Sequence, residues 1–289
     1  MQDLNKLAEL AKNISGDNQA NAVSLVERMG EVIEGLGDRP IEWRPGTLKH
    51  VQGTSDRGKL PKGAGIGSFV LGESLLEQPL KVIVLRTWTS RQYWDPNPDN
   101  AKMLCNSPDG QQGFQFGECK LCPYAKFDTE ANKSQCNKTA SFLVVAADLS
   151  DMFMVNFSKS NYMNGVDWTG LMKKAGVAPY KRVYQLSSQT STKNKNVELI
   201  KAEPVTGEKV EGAVLEFVEE LFRVADGDRK EMLVKFYEYV KTRKTAGAAA
   251  LEAPADVQLI AHDEPIAVEA VEVATSEAPA ESKPKKYKI

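Results

Sequence analysis

The sequence contains little histidine, few cysteines and no long apolar run. Its 289 residues include 2 histidines and 4 cysteines, so catalysis by a histidine base or a nucleophile–histidine pair has little to work with. No segment approaches the roughly 20 apolar residues of a membrane span. The first ten residues lack the basic start and apolar stretch of a signal peptide. We therefore expect an intracellular protein that is not an enzyme.

The chain as a whole also lacks an excess of either charge. It has 37 basic and 39 acidic residues, a net charge of −2, and this balance taken alone argues against a nucleic-acid binder. The charge is unevenly distributed, however. Residues 43–201 carry 21 basic and 13 acidic residues, a net charge of +8, whereas residues 1–42, 202–244 and 245–289 carry −4, −2 and −4. The basic segment is therefore the candidate region for binding nucleic acid.

The spacing of apolar residues predicts an α+β protein in four segments. The core, residues 43–203, alternates short β-branched or aromatic runs with Gly, Pro, Asn and Ser clusters, which predicts a mostly antiparallel sheet or partly closed barrel. Its predicted strands are 67–71, 80–88, 141–147, 152–157, 182–186 and 196–202, with one helix over 168–175. Around the core we predict N-terminal helices (1–42), an αα-hairpin (204–244) that turns at Asp226-Gly227-Asp228, and a disordered acidic tail (245–289).

All four cysteines fall in one loop, with the spacing Cys105-x13-Cys119-x2-Cys122-x13-Cys136. A Cys-x-x-Cys turn directs two thiolates at one ion, and the symmetric outer pair completes a tetrahedral shell, for which zinc is the suitable metal. The surrounding Gly and Pro residues supply no core, so a metal would stabilise the loop. The alternatives are a thioredoxin-like redox pair and thiols that share no ligand. With four thiolates and no open position, the predicted zinc ion is structural.

Two stretches of the core mix aromatic and basic residues. Binding of single-stranded nucleic acid needs cations for the phosphates and exposed rings on which bases stack. We predict phosphate contacts from Arg86, Arg91, Lys181, Arg182, Lys193 and Lys195, and stacking on Tyr93, Trp94, Tyr180 and Tyr184. In the alternative interpretation these rings are core residues, because a strand buries every second side chain. Trp88 is the residue most expected to be core.

The cysteine loop carries a resemblance to a known family. The stretch LCNSPDGQQGFQFGECKLCPYAKF, followed by Cys136 and the strand SFLVVAAD, resembles the single-stranded-DNA-binding RNA polymerase cofactors (Drc type) of lytic tailed bacteriophages, loosely over residues 66–202. The resemblance implies non-sequence-specific binding of single-stranded DNA, with phage RNA polymerase as a partner, in the cytoplasm of the host cell. The chain ends in KPKKYKI and so lacks the acidic tip of common single-strand binders.

The expected function is therefore single-stranded DNA binding in phage transcription, replication or recombination. One alternative is a zinc-containing module that docks on RNA polymerase or a virion protein without contacting DNA. A second alternative is a metal-dependent nuclease that uses Asp148 and Asp151, although carboxylates after a strand more often cap it. For the tail we hypothesise either competition with DNA for the basic groove or contact with a partner protein.

Overall fold

The computed structural model describes residues 2–30, 32–33, 41–42, 45–96, 102–128, 133–192, 194–195 and 197–245. Its helices are α1 (Gln2–Asn13), α2 (Asp17–Gly30), α3 (Tyr162–Lys174) and α4 (Gly212–Thr245). The longer strands are β3 (Gly46–His50), β6 (Leu80–Trp94), β7 (Met103–Ser107), β12 (Asn137–Ala146), β13 (Met152–Ser158), β14 (Arg182–Thr190) and β15 (Glu198–Lys209). The short strands are β1 (Val32–Ile33), β2 (Ile41–Glu42), β4 (Phe69–Leu71), β5 (Ser74–Leu76), β8 (Gln112–Gly113), β9 (Gly117–Glu118), β10 (Phe127–Asp128) and β11 (Lys133–Ser134).

Nine strands form one curled sheet in the order β15-β14-β6-β12-β13-β3-β4-β5, with β7 paired to the far end of β6. These pairings are antiparallel except that of β13 with β3, which is parallel. The register between β6 and β12 shifts between Leu143 and Val144, and such a bulge increases the local twist of a sheet. The predicted α+β architecture with a mostly antiparallel sheet is confirmed.

Helices cover both faces of this sheet. In β6, Ile83 and Leu85 point into a core made with α1, α2 and α4, and Val82 and Val84 point into a second core beneath α3. Because both faces are covered, the central strands are apolar at consecutive positions instead of alternating. This is why β6 and β12 stood out as continuous apolar runs in the sequence.

The predicted C-terminal αα-hairpin is wrong, since α4 is one continuous helix of 34 residues. Asp226 lies within the helix, where it pairs with Arg86 of β6 and, at 2.6 Å, with Lys230 of the next turn. These ion pairs stabilise the helical conformation where the Asp-Gly-Asp sequence suggested a turn. Gly227 costs about 1 kcal/mol in a helix interior, which does not interrupt a helix that packs along its length.

Three other boundaries also differ from the prediction. The strand β15 continues through Pro204 to Lys209, because an edge strand tolerates a residue that cannot donate a ladder hydrogen bond. Helix α3 begins at Tyr162 instead of 168, so Asp167 lies inside it. In the N-terminal segment, where helices were predicted over 1–42, α2 ends at Gly30, and Val32–Ile33 pairs with Ile41–Glu42 as strands. The predicted tail, 245–289, lies outside the described residues from 246 onward.

Candidate metal centre and nucleic-acid interface

Four cysteines from separate parts of the chain line one small cavity. Cys105 lies in β7, Cys119 and Cys122 flank the turn after β9, and Cys136 immediately precedes β12. All four are buried and none forms a disulfide. The cavity that they share has a volume of about 10 Å³. The fold therefore brings together the four residues that their spacing grouped as metal ligands.

Backbone hydrogen bonds shape the turn between Cys119 and Cys122. The N–H groups of Leu121 and Cys122 both donate to the carbonyl of Glu118, at 3.0 and 3.1 Å, and Cys136 N–H donates to the Tyr124 carbonyl at 2.8 Å. At Gly113 a Cβ atom would lie 2.7 Å from Cys105 Sγ. Glycine is therefore required at 113 for the loop to close over the cysteines.

Burial dominates the electrostatics of the cavity. Burial raises the pKa of the Cys136 thiol to about 11, against the influence of Arg91, and it raises the pKa of Cys105 despite backbone N–H bonds from Gln115 and Phe116 to the sulfur. A coordinated divalent cation would deprotonate such thiols. In the described part of the chain, no three Cys, His, Asp or Glu side chains are positioned as a metal shell. The cysteines thus line a cavity and do not form a closed coordination shell.

An aromatic cluster packs beside the cysteines. Tyr93 stacks on Tyr124 with ring centroids 4.4 Å apart, and Phe116 lies 5.9 Å from Tyr93 and 5.0 Å from Tyr124. Tyr93 is 6% exposed, whereas Phe116 is 38% exposed. We call Tyr93, Phe116 and Tyr124 the loop aromatics. The accessible ring surface therefore belongs to Phe116 and, in part, to half-buried Tyr124, which the sequence analysis did not select. Phe116 and Tyr124 lie in a loop for which the sequence predicts no hydrophobic core, and aromatic residues in such a loop could have been selected as exposed.

The structure corrects the predicted stacking role of Tyr93 and Tyr184. Tyr93 uses a ring face against Tyr124, and Tyr184 is 1% exposed and packs 5.7 Å from Trp168 beneath α3. Neither ring offers a face to a base. Tyr180 is half-buried against Phe222, and Trp94 is half-buried in the pairing of β6 with β7. Trp88 packs against the core, as predicted.

The predicted phosphate contacts do not form one surface. Arg86 pairs with Asp226 of α4, and Lys181 lies 3.7 Å from Glu219 of the same helix. Arg91 lines the cysteine cavity and donates to the Ala125 carbonyl at 3.3 Å. These three cations are therefore engaged within the protein.

Of the remaining predicted cations, two lie in or beside the hairpin formed by β14 and β15. Arg182 lines a groove with Lys174, Lys195 is exposed in the hairpin turn, and Lys193 lies outside the described residues. Two further exposed cations are Lys126, two residues after Tyr124, and Lys138 of β12. Lys138 is the β12 partner of Arg91, and its ammonium lies 5.9 Å from the ring centroid of Tyr162, the first residue of α3. Lys126 is therefore the exposed cation that the chain places next to the loop aromatics.

The second half of α4 holds the cysteine loop against the sheet. The Arg229 guanidinium lies 4.3 Å from the ring centroid of Trp88 and donates to the Pro108 carbonyl. Tyr237 donates its hydroxyl to Asp109. Burial alone would raise the pKa of Asp109, but this bond and backbone N–H donors lower it below its usual value. Contacts from α4 thus hold the loop against the sheet.

The carboxylates of Asp148 and Asp151 and the imidazole of His50 could suggest catalysis, but each has hydrogen-bond partners within the fold. Asp148 accepts hydrogen bonds from the N–H and hydroxyl of Ser150, and Asp151 accepts from Met152 N–H and Arg28. Both carboxylates therefore stabilise the β12–β13 turn, which is the capping use considered from the sequence. Near β3, His50 Nε2 lies 2.8 Å from Ser188 Oγ, which donates to Glu198 at 2.9 Å.

The comparisons with known proteins give no family for this chain. It matches no protein-family model, no curated protein and no solved structure. Among the described residues, no helix is both long and apolar enough to cross a membrane. The function of this chain is therefore inferred from its residues.

Proposed function

We propose that this protein binds single-stranded DNA without sequence preference through the surface around its cysteine loop. In this proposal it is a bacteriophage protein that acts in transcription, replication or recombination, with phage RNA polymerase as a partner. It is a binding protein and not an enzyme. Its cysteine loop holds one structural zinc ion through Cys105, Cys119, Cys122 and Cys136.

The observation that carries the proposal is the exposed part of the loop aromatics within a basic segment. Phe116 keeps 38% of its surface exposed although it packs against two other rings. Base stacking on such a ring does not depend on sequence, because every base has a π-face. Lys126 is exposed two residues after Tyr124, and residues 43–201 carry a net charge of +8. Stacking and phosphate neutralisation are therefore both available at one surface.

Zinc would serve this surface by fixing the loop that carries it. The donor types suit zinc because the four soft ligands are buried around one cavity and because two backbone N–H groups point at the Cys105 sulfur. Zinc binding would draw the thiols into the shell that the described residues do not form by themselves. A bound zinc ion supplies charge that stabilises the thiolates. The chain's own residues then hold Phe116 and Tyr124 at the surface.

The test measures binding of fluorescent single- and double-stranded oligonucleotides by polarisation across a salt series. Phe116→Ala with Tyr124→Ala should weaken single-strand binding by about 5- to 100-fold, since one stacked base contributes about 1–3 kcal/mol. Lys126→Gln should make the salt dependence shallower, by about one unit of logarithmic slope.

Matched controls lie on other surfaces. Leu75→Ala removes an apolar side chain that is 43% exposed on β5, and Lys12→Gln removes an exposed cation in the acidic N-terminal segment. Both should leave affinity unchanged. No binding at low salt, or equal losses in the controls and the loop variants, would refute the proposal. Running the products on a gel with magnesium present tests the nuclease alternative.

One observation favours the alternative of a protein-docking module. Leu121, at the tip of the Cys119–Cys122 turn, is 69% exposed, and an exposed apolar side chain at a rigid turn fits a protein partner. If this alternative holds, Leu121→Ala abolishes capture of the phage RNA polymerase, and the same protein shows no salt-dependent binding to oligonucleotides.

A further inference from the structure

The outer face of α3 carries apolar side chains that contact nothing within the described chain strongly enough to bury them. Met163 is 59%, Val166 38% and Leu171 41% exposed, and Val177, just after the helix, is 44% exposed. On a helix, residues three and four apart are neighbours, so positions 163, 166, 167, 170, 171 and 174 form one stripe. We call this stripe the α3 outer face.

The opposite side of α3 is firmly packed, so the outer face is presented in a fixed orientation. Trp168 is 1% exposed and stacks on Phe142 with ring centroids 4.3 Å apart. At Gly165 a Cβ atom would lie 2.7 Å from Phe157 and 2.9 Å from Ala140. Rotating α3 to bury its outer face would break these contacts. Among the described residues nothing covers these apolar side chains, so they are available to a partner.

The centre of the outer face is suited to close approach of a second helix. Gly170 lies midway along the stripe, and a Cβ atom there would have no heavy atom within 4 Å. Small residues allow two helix backbones to approach closely. Gly170 is thus the natural crossing point for a helix laid on this face.

The charges on the outer face specify which helix would fit. Asp167 and Lys174 are both exposed, and seven residues separate them by about 10 Å along the axis, too far to pair within one helix. Two copies of α3 packed antiparallel about Gly170 and Leu171 place each Asp167 opposite Lys174 of the other copy. The same rotation places Met163 near Val177 of the other copy. The face is thus complementary to itself, as a two-fold interface requires.

We infer that the protein forms a two-fold dimer through antiparallel packing of α3 against α3 of a second copy. The net charge of −2 opposes association only weakly. A helix of 13 residues is about 20 Å long, so the interface is small, and we expect a concentration-dependent dimer with a dissociation constant of roughly micromolar order. This inference does not depend on DNA binding.

Sedimentation equilibrium of the full chain without DNA tests the dimer. At high concentration the mass should approach twice 31.8 kDa. Asp167→Lys and Lys174→Asp each place like charges at both contacts and should weaken dimerisation roughly tenfold or more. Lys62→Asp changes an exposed lysine far along the chain in a loop and should not weaken it.

Mixing the two charge variants provides the decisive measurement. In a mixed dimer, the lysine introduced at position 167 of one copy faces the aspartate introduced at position 174 of the other. At the second contact the native Asp167 faces the native Lys174, so both contacts are attractive and the dimer should be restored. Restoration cannot result from a folding defect in either variant. A monomeric wild-type chain at every concentration, variants that dimerise as well as the wild type, or a mixture that stays monomeric would overturn the inference.

Discussion

In the central sheet, apolar side chains cover both faces, whereas the cysteine loop (residues 102–128 and 133–136) buries few of them. The sheet contributes two large cores that contain residues such as Phe142, Phe157 and Phe217. The buried cluster of the loop consists of Tyr93, Cys105 and Cys136 with a few partly buried neighbours. Hydrophobic burial thus stabilises the sheet, whereas the loop has contacts from α4 and, in our proposal, a metal bound by its cysteines.

The difference suggests a division of roles. A surface that must present rings and cations cannot bury them, so it needs another source of rigidity. A structural metal provides that rigidity without covering the surface. The sheet and the cysteine loop should therefore respond separately to perturbation.

Removal of zinc should have the largest effect and should be confined to the loop. Metal analysis should find one zinc ion per chain, and zinc binding contributes on the order of 10 kcal/mol in small zinc domains. After chelation, or in Cys119→Ser with Cys122→Ser, hydrogen exchange should lose protection across 103–125 and keep it in β12 and β13. Protein purified without zinc, or protection unchanged by chelation, would show that the loop is stabilised without metal.

Acidification should destabilise the sheet region through His50. Burial lowers the pKa of His50 to about 4, with Glu198 opposing this shift. The unfolded state, with a pKa near 6.5, therefore binds more protons between pH 6.5 and 4. The resulting stability is fully present above about pH 6.5 and is lost as the pH falls towards 4, by at most about 3 kcal/mol. Urea titrations of wild type and His50→Gln check this, and equal pH slopes would contradict it.

Two glycines of α3 should respond to alanine in opposite directions. Gly165→Ala places a Cβ atom 2.7 Å from Phe157 and should cost about 1–3 kcal/mol by overpacking. Gly170→Ala enters open space and should stabilise the monomer by up to about 1 kcal/mol through helix propensity. Thermal unfolding of both variants gives the comparison. Similar shifts in both would indicate that α3 does not pack as closely on the sheet as the structure shows.

The smallest effect is expected at the contact between α4 and the loop. Tyr237→Phe removes only the hydroxyl that donates to Asp109, on a side chain that is 40% exposed, and should cost about 0.5–1 kcal/mol. Hydrogen exchange should rise near Asp109 and remain unchanged in β6. Lys235→Gln is the control, since it removes an exposed ion pair with Glu231. It should change hydrogen exchange neither near Asp109 nor in β6. A loss of protection in both regions would mean that they unfold together.

The sequence alone was sufficient for the central strands and for the grouping of the cysteines. In apolar runs such as Phe142–Val145 and Val82–Leu85, side chains on both faces of the strand must be buried away from water. These runs therefore predict a sheet with both faces covered. The cysteine spacing likewise indicates a shared site, because a tight turn directs two thiols to one point. Both signals are local in sequence.

The tertiary structure alone decided which polar and aromatic residues remain accessible. Arg86 and Tyr184 lie in stretches that mix aromatic and basic residues, as a DNA-binding strand does. In the structure, however, Arg86 pairs with Asp226 and Tyr184 lies beneath α3. The same ion pairs around Asp226 kept α4 continuous where Asp-Gly-Asp indicated a turn. Whether a side chain is exposed or paired depends on residues distant in the chain. No local pattern in the sequence shows which distant residues will contact it.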